Sequence, residues 1–573
     1  MSSLDQILTY IISQSPLTRA EFDRARHQAS RKFKTVQPSN NELLSAYQKL
    51  VKKAKTAPNK QLEHLMRKAA VRTMSGVAIV TSLTKQYPCP GKCIYCPSEA
   101  RMPKSYLSNE PAAARALGLN FDPYEQMARR IEMLETNGHP TDKIEFIIKG
   151  GSWNAYPLNY QYNFILQSFK ACNEMNRKKQ ETRNKKYPIS NIQYLTKALQ
   201  KEQSKNETAK HRIIGLTLET RPDLITPETI YHMRQMGCTR VELGLQAPDD
   251  KILKLTKRGH TVQQFKDAML LLRQAGFKVD LHFMPGLPGS TAKHDVEMYK
   301  QIFSDPGLKP DMIKIYPCSV IKNTELYKWY KQGKYKPYSQ KKLIDALIEM
   351  KLATPRYCRI SRLIRDIPEP SIEAGNKVTN LRQDLVKEMQ KRGLKCKCLR
   401  CREVGHASPL LVGEGAGVRS QLAPEPKLFI DKYSTVGGTE YFLSFEDKKR
   451  QVVFAFCRLR TPLLGKEGRG EVDKLVNHQP PLNLPLSKGE RARAFIRELH
   501  TDGQMIAIGK TQNPNNKTQV QHTGLGKKLM AEAERIAKKN KFKKISVISG
   551  VGVRGYYRKL GYRKEGTYMV KTL

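Results

Sequence analysis

From residue 76 to residue 316 the chain repeats one pattern, a short apolar run followed by an amphipathic span. The runs are GVAIVTSL, KIEFIIKGG, RIIGLTLETRPD, TRVELGLQA, KVDLHFMPGLPG and MIKIYP, and the spans include DPYEQMARRIEMLETNG and TVQQFKDAMLLLRQAGF. Runs of that length read as strands and the spans as helices. Strands separated by helices pair in parallel, because a parallel neighbour cannot be reached by a tight turn. The fold class is therefore α/β, and roughly six such units make an open or partial (β/α) barrel with its ligands at the C-terminal strand ends. The chemically loaded residues fall at those ends: Gly150 and Gly151, then Glu219 and Arg221, then Gln246. Glycines let backbone approach a cofactor's amino group, while Glu and Arg can hold ribose hydroxyls and a carboxylate.

Eleven cysteines are spread unevenly over the chain. Cys89, Cys93 and Cys96 form C-x3-C-x2-C, three thiolates without a local fourth ligand. A structural zinc site closes with four ligands, whereas three cysteines on a 4Fe-4S cluster leave one iron open. Pro90 and Gly91 suit a loop wrapped closely round a cluster, and Tyr95 can pack on a cofactor. The spacing resembles that of the radical S-adenosylmethionine enzymes; a zinc knuckle borrowing a distant ligand is the competing reading. Cys396, Cys398 and Cys401 form C-x-C-x2-C in a very basic run. Zinc is expected there, with His406, Cys358 or Cys318 as fourth ligand and a second iron–sulfur cluster as the alternative.

Lys and Arg number 101 against 53 Asp and Glu, a formal charge of +48. A chain this basic faces a polyanion, and nucleic acid is the commonest one. Residues 1–75 read as helical, with Lys49, Lys52 and Lys53 on one helical face, suited to a phosphate backbone or simply to solvent. No run approaches the ~18 apolar residues of a membrane span. The N-terminus has neither a basic n-region nor a cleavage site, so a cytoplasmic protein is expected.

From about residue 425 strands return, as EYFLSFED and QVVFAFCRLR. A Gly- and Pro-rich tract at 461–490 reads as a disordered insertion, and the charge run at 176–186 as a loop or helix end. Gln521, Gly524, Leu525 and Gly526 open an amphipathic helix, a loop that aims backbone N–H groups at a pyrophosphate. This is the Q/R-x-x-G-x-G/A pattern of the GNAT N-acetyltransferases, which bind acetyl-CoA there. With it go an upstream strand carrying Glu498, Leu499, His500 and Thr501, whose backbone would meet the pantetheine arm, and a downstream YYRKLGY. Tyr557 is the candidate proton donor to the leaving thiolate, with aromatic packing as the plainer reading for Tyr556 and Tyr557.

The segments CPGKCIYCP, IIKGGSW, LETRPD, ELGLQ, RGHT, FMPGLPG, KIYPCSVI, IRDIP, CREVGH, IRELH, QHTGLG and ISGVGVRGYYRKLGY, in that order, closely resemble the Elongator catalytic subunit family of tRNA-uridine acetyltransferases (tRNA carboxymethyluridine synthases). The resemblance implies four regions: a basic helical tRNA-binding region at 1–75, a radical S-adenosylmethionine core at 76–355, a zinc linker at 356–424 and a GNAT domain at 425–573. It implies wobble uridine of tRNA as substrate, presented on the anticodon stem-loop, and acetyl-CoA as carbon source. A radical derived from S-adenosylmethionine would activate the acetyl methyl group for addition to uridine C5. It further implies that Lys143 touches acetyl-CoA across the domain boundary and that Lys314 and Tyr316 line the radical site. The zinc cysteines resemble prokaryotic members, so no obligate multi-subunit complex is expected, and a homodimer is left open. A protein-lysine acetyltransferase with a structural radical domain and a non-catalytic tRNA-binding protein are the rival readings.

Overall fold

The structure, a computed structural model, describes residues 2–53, 56–67, 76–175, 191–404, 426–463, 493–501 and 524–573. The alternating pattern becomes β1 (Ala78–Leu83), β2 (Lys143–Lys149), β3 (Arg212–Thr220), β4 (Arg240–Gln246), β5 (Lys278–Phe283), β6 (Met312–Ile315), a two-residue β7 (Val320–Ile321) and β8 (Arg359–Arg362). Seven of these make one sheet in the order β1-β2-β3-β4-β5-β6-β8. Every neighbouring pair in it is parallel, as crossover helices require. The sheet thus continues beyond residue 355, into the region expected to be linker. Its seventh strand reads RISR, too short and too polar to register as an apolar run. β7 pairs with β9 (Ile372–Ala374) in a separate ribbon.

The two faces of this sheet differ sharply. Val241, Leu243, Val279, Leu281 and Ile313 are buried in one apolar core together with Phe265 and Tyr299 of the crossover helices. The alternate residues, on the face away from those helices, include Arg240, Glu242, Asp280 and Lys314, all buried. A half-barrel therefore encloses a charged interior between its strands.

A second sheet holds β10 (Lys427–Thr435), β11 (Gly438–Glu446), β12 (Val453–Pro462), β13 (Ala494–Thr501), β14 (Lys544–Val547), β15 (Arg563–Glu565) and β16 (Tyr568–Thr572). Their order is β10-β11-β12-β13-β14-β16-β15. The helix Leu525–Lys539 lays Leu525, Leu529, Met530, Ala533 and Ile536 on this sheet. β12 runs through Thr461 and Pro462, so the tract expected to be an insertion starts inside a strand; residues 464–490, with the 176–186 run, lie outside the described residues. At the N-terminus, helices Ser3–Ser13, Arg19–Lys32 and Asn40–Lys52 each open with a capping box, on Ser2, Thr18 and Ser39. They share a small apolar core and keep Lys49, Lys52 and Lys53 exposed. Among the described residues no helix is long and apolar enough to cross a membrane.

The second sheet docks on the N-terminal ends of the barrel strands. Gly550 stands where a Cβ would strike the Ile214 backbone, and Gly552 where one would strike the Arg212 Cβ. Beside them lies a buried charge network. Asp311, at the foot of β6, accepts from Arg497 at 2.8 Å and from the Val279 N–H at 3.0 Å. Glu440 accepts from Arg273 at 2.8 Å, Arg497 at 2.9 Å and Arg460 at 3.1 Å. Burial raises the Asp311 carboxyl's proton affinity, but the surrounding arginines outweigh it and hold it far below the usual range. Removing one partner of such a pair strands a buried charge, at a cost of roughly 3–5 kcal/mol. Asp311→Ala is therefore expected to lower the thermal unfolding midpoint by several degrees, read by calorimetry on the full chain, with Asp311→Asn less damaging.

Candidate active site

The loop after β1 carries Cys89, Cys93 and Cys96 at the C-terminal ends of the strands. It closes on itself through the Cys96 N–H, which donates to the Cys93 carbonyl at 3.2 Å. Two other segments hold it: the Ile94 N–H donates to the Thr256 carbonyl at 3.2 Å, and the Ile94 carbonyl accepts from Leu326 at 2.9 Å. Cys93 is buried, with the Arg258 guanidinium 3.6 Å from its sulfur and donating to the Gly244 carbonyl at 2.8 Å. The Cys96 thiol, and after it Arg258, pull the Cys93 thiol down to about 4 against the effect of burial. The thiolate that this environment favours is the form that ligates iron.

Arg221, the residue expected to hold a ligand's carboxylate, stands directly behind the cysteine loop. Its guanidinium donates to Asp223 at 3.0 Å and to the carbonyls of Arg258 at 2.8 Å and Gly259 at 3.2 Å. It braces the cysteine loop from behind: a Cβ on Gly91 would collide with Arg221 and lie 3.6 Å from the Cys93 sulfur. Gly150 and Gly151, after β2, have φ of 118° and 85°, which glycine alone adopts without strain. Gln246 ends β4 at φ 74°. Its Oε1 and the Thr220 Oγ1 at the end of β3 are buried, with no hydrogen-bond partner among the described residues. Buried polar atoms without partners are rare. Beside a thiolate loop they fit a cluster carrying a polar cofactor.

Deeper in the barrel Glu242 gathers basic side chains. Lys314 pairs with it directly, Lys149 lies 3.6 Å away and His282 Nε2 3.4 Å away. Burial opposes each charge, but opposite charges win: Glu242 is held well below its usual range, and Lys149 and Lys314 above theirs. Lys314 is therefore a fixed cation rather than a free base. Tyr316 meets the edge of His282 at 5.5 Å, and Glu219 accepts from Tyr106 at 3.3 Å. Lys149, Glu242, His282 and Arg258 are absent from the sequence-derived set. The signal for two of them is nonetheless in the chain, since Lys149 directly precedes Gly150 and Glu242 interrupts the apolar run VELGL.

At the other end of the strands, β13 pairs with β14 only over Ala494–Ile496 and then parts from it. The departing stretch contains Glu498, Leu499, His500 and Thr501. Glu498 is tied to Arg458 at 2.8 Å and Lys278 of β5 at 3.2 Å. The helix Leu525–Lys539 starts on Gly524 at φ 81° without a side-chain cap. A Cβ on Gly526 would stand 3.1 Å from the Tyr556 hydroxyl and 3.7 Å from Thr501. Tyr557 packs edge-on to Tyr556 and Tyr562, and burial raises its phenol above the usual value. Lys143, at the foot of β2, pairs across the sheet with Arg212, which Gly552 overlies. Gln521 lies outside the described residues.

The sulfurs of Cys396, Cys398 and Cys401 lie within 4.8 Å of one another, with the Lys351 ammonium 3.8 Å from Cys401. Three thiolates at that spacing fit one zinc ion with a fourth position open. Neither Cys358 nor Cys318 joins the group: Cys358 is buried in the barrel core, and Cys318 packs at the opposite strand ends, under Gly286 and Gly375. His406 lies outside the described residues.

Residues 85–302 match the Radical SAM superfamily and residues 310–391 the Radical_SAM C-terminal domain. The chain is 43% identical over 546 residues to a tRNA uridine(34) acetyltransferase of Methanocaldococcus infernus, covering 94% of this chain and 92% of that protein. It is 35% identical over 527 residues to Elongator complex protein 3 of Schizosaccharomyces pombe, covering 89% and 88%. A solved structure of the archaeal M. infernus Elp3 with an N-terminal deletion aligns at TM-score 0.69 and 40% identity, over 87% of this chain and 100% of that one. A parallel half-barrel with three cysteines at its C-terminal strand ends defines a radical S-adenosylmethionine enzyme. Within that class the chain belongs to the family of the tRNA uridine(34) acetyltransferases and Elongator complex protein 3.

The Arg221 brace gives a direct test. Gly91→Ala is expected to reduce iron bound per chain after anaerobic reconstitution while leaving the circular dichroism spectrum unchanged. Undiminished iron would show that the brace is dispensable.

Proposed function

We propose that this chain forms 5-carboxymethyluridine at the wobble position of tRNA, using acetyl-CoA as the carbon source. The observation that carries this reading is one rigidly docked chain with a thiolate loop at one end of the barrel strands and a splayed strand beside a glycine-started helix at the other. Cys89, Cys93 and Cys96 would hold a 4Fe-4S cluster, which with S-adenosylmethionine supplies one-electron chemistry for hydrogen abstraction. Arg258 points its guanidinium at the Cys93 sulfur, and Arg221 fixes the loop. Gln246 Oε1, Thr220 Oγ1 and the backbone at Gly150 and Gly151 orient the cofactor's polar groups. Lys149 and Lys314 pair with Glu242 at the floor of the site.

In the second domain the backbone of Glu498–Thr501 would take the pantetheine amides, and the helix start at Gly524, Leu525 and Gly526 the pyrophosphate. Tyr557 keeps its proton at neutral pH because burial raises it, as a donor to a leaving thiolate requires. Lys143, on the docked end of the barrel, completes the acetyl-CoA contacts. Cys396, Cys398 and Cys401 would hold zinc. The names of the relatives and the charge of +48 support tRNA as the polyanion.

The test is anaerobic reconstitution followed by S-adenosylmethionine, acetyl-CoA and tRNA. 5′-Deoxyadenosine and carboxymethylated uridine are expected, and Cys96→Ala should abolish both. Acetylated protein with unmodified tRNA would instead support a lysine acetyltransferase, and binding without product a tRNA-binding module. A second expectation concerns salt: replacing Lys49, Lys52 and Lys53 with Ala should flatten the plot of log affinity against log salt by about 0.7–0.9 for each phosphate left without its lysine.

A further inference from the structure

The segment after β6 lies at the same end of the barrel as the cysteine loop. Between Glu325 and Asp345 it carries six lysines and no acid, interleaved with Tyr327, Trp329, Tyr330, Tyr335 and Tyr338. Two of those rings have structural work: the Tyr335 hydroxyl donates to the Gly286 carbonyl and the Tyr338 hydroxyl to Asp295, each at 2.7 Å. Trp329 and Tyr330 are half-buried on helix Glu325–Lys331, while Lys328, Lys331, Lys334 and Lys336 are exposed. The nearby acids are already engaged, Glu325 by Lys257 at 2.6 Å and Glu373 by Lys322 at 3.2 Å.

Asn323, Thr324, Glu325, Lys328, Trp329 and Gln332 line an open pocket of about 480 Å³. Its helix is joined to the cysteine loop directly, because the Leu326 N–H donates to the carbonyl of Ile94, the residue after Cys93. An indole beside a lysine, in a pocket of this size, matches a nucleotide: the ring offers a stacking surface and the ammonium a phosphate contact. The amides of Asn323 and Gln332 can meet a base edge.

We propose that this pocket holds an unpaired RNA nucleotide flanking the one that enters the active site, its base stacked on Trp329 and its phosphate against Lys328. Bases inside a duplex have no free face to offer, so the occupant is single-stranded, as in a loop. An acidic peptide would use the lysines but not the indole. The inference rests on the RNA-modifying reading above and adds a recognition subsite to it.

Tryptophan emission provides the test, because the chain has only two tryptophans and Trp153 is 2% exposed. The reconstituted full chain is titrated with an anticodon stem-loop RNA. Quenching is expected in the wild type and lost in Trp329→Phe, which retains a stacking ring and most of the affinity. Trp329→Ala should weaken binding by about 5- to 100-fold. Lys328→Glu, on the surface, should weaken it and lower the salt slope by at least ~0.7. Unchanged quenching in Trp329→Phe, unchanged affinity in Trp329→Ala, or equal quenching by polyglutamate would each overturn the assignment. Binding is read without turnover, so quenching that persists when no carboxymethyluridine forms would sink the proposed activity and leave the pocket standing.

Discussion

The structure depends on the buried charges where the second sheet meets the feet of the barrel strands. Asp311 and Glu440, together with Arg273, Arg460 and Arg497, have almost no contact with water. Desolvating such groups roughly offsets their mutual attraction, so their contribution is geometric more than energetic. Each carboxylate meets several guanidinium groups at fixed angles, and a shifted sheet would strand one of them. Gly550 and Gly552 permit the approach, since a side chain at either would hold the two backbones apart. The relative position of the two domains follows from this contact.

That position has a consequence for chemistry. The cysteine loop and the splayed end of β13 lie at opposite ends of parallel strands, and β4 alone, Arg240–Gln246, spans about 20 Å. Between them runs the charged inner face: Glu498 with Lys278 at the foot, Arg240 with Glu145 above it, then Glu242 with Lys314 and Lys149 near the top. A barrel filled with apolar side chains would separate the two ends with a dry core. Here charged pairs occur along the inner face from one end of the strands to the other.

Much of the fold was legible from periodicity. The first six strands stand where the apolar runs are, and the second domain's strands follow EYFLSFED and QVVFAFCRLR. β8 was not legible, because RISR owes its place to its neighbour β6 and not to its own composition. The cysteine loop was legible from spacing alone, whereas the contacts of the Arg221 guanidinium with Asp223 and two loop carbonyls, distant in the chain, were not. Trp329 carried no signal in the sequence, because its pocket is assembled from residues 323–332 only once the helix Glu325–Lys331 has formed.

By itself the sequence determined the class of chemistry: three cysteines at a fixed spacing, a glycine-started helix, alternating strands and helices, and a large positive charge. Those are local properties, set by residue type and by separations of a few positions. The tertiary structure alone decided which groups are free and which are committed. Lys314 was paired with Glu242 and Arg221 with Asp223, Cys358 and Cys318 were set apart from the Cys396, Cys398 and Cys401 group, and Lys149 and Glu242 were brought together from different strands. The physical reason is that a charge's role depends on what is buried beside it, and those neighbours are distant in the chain.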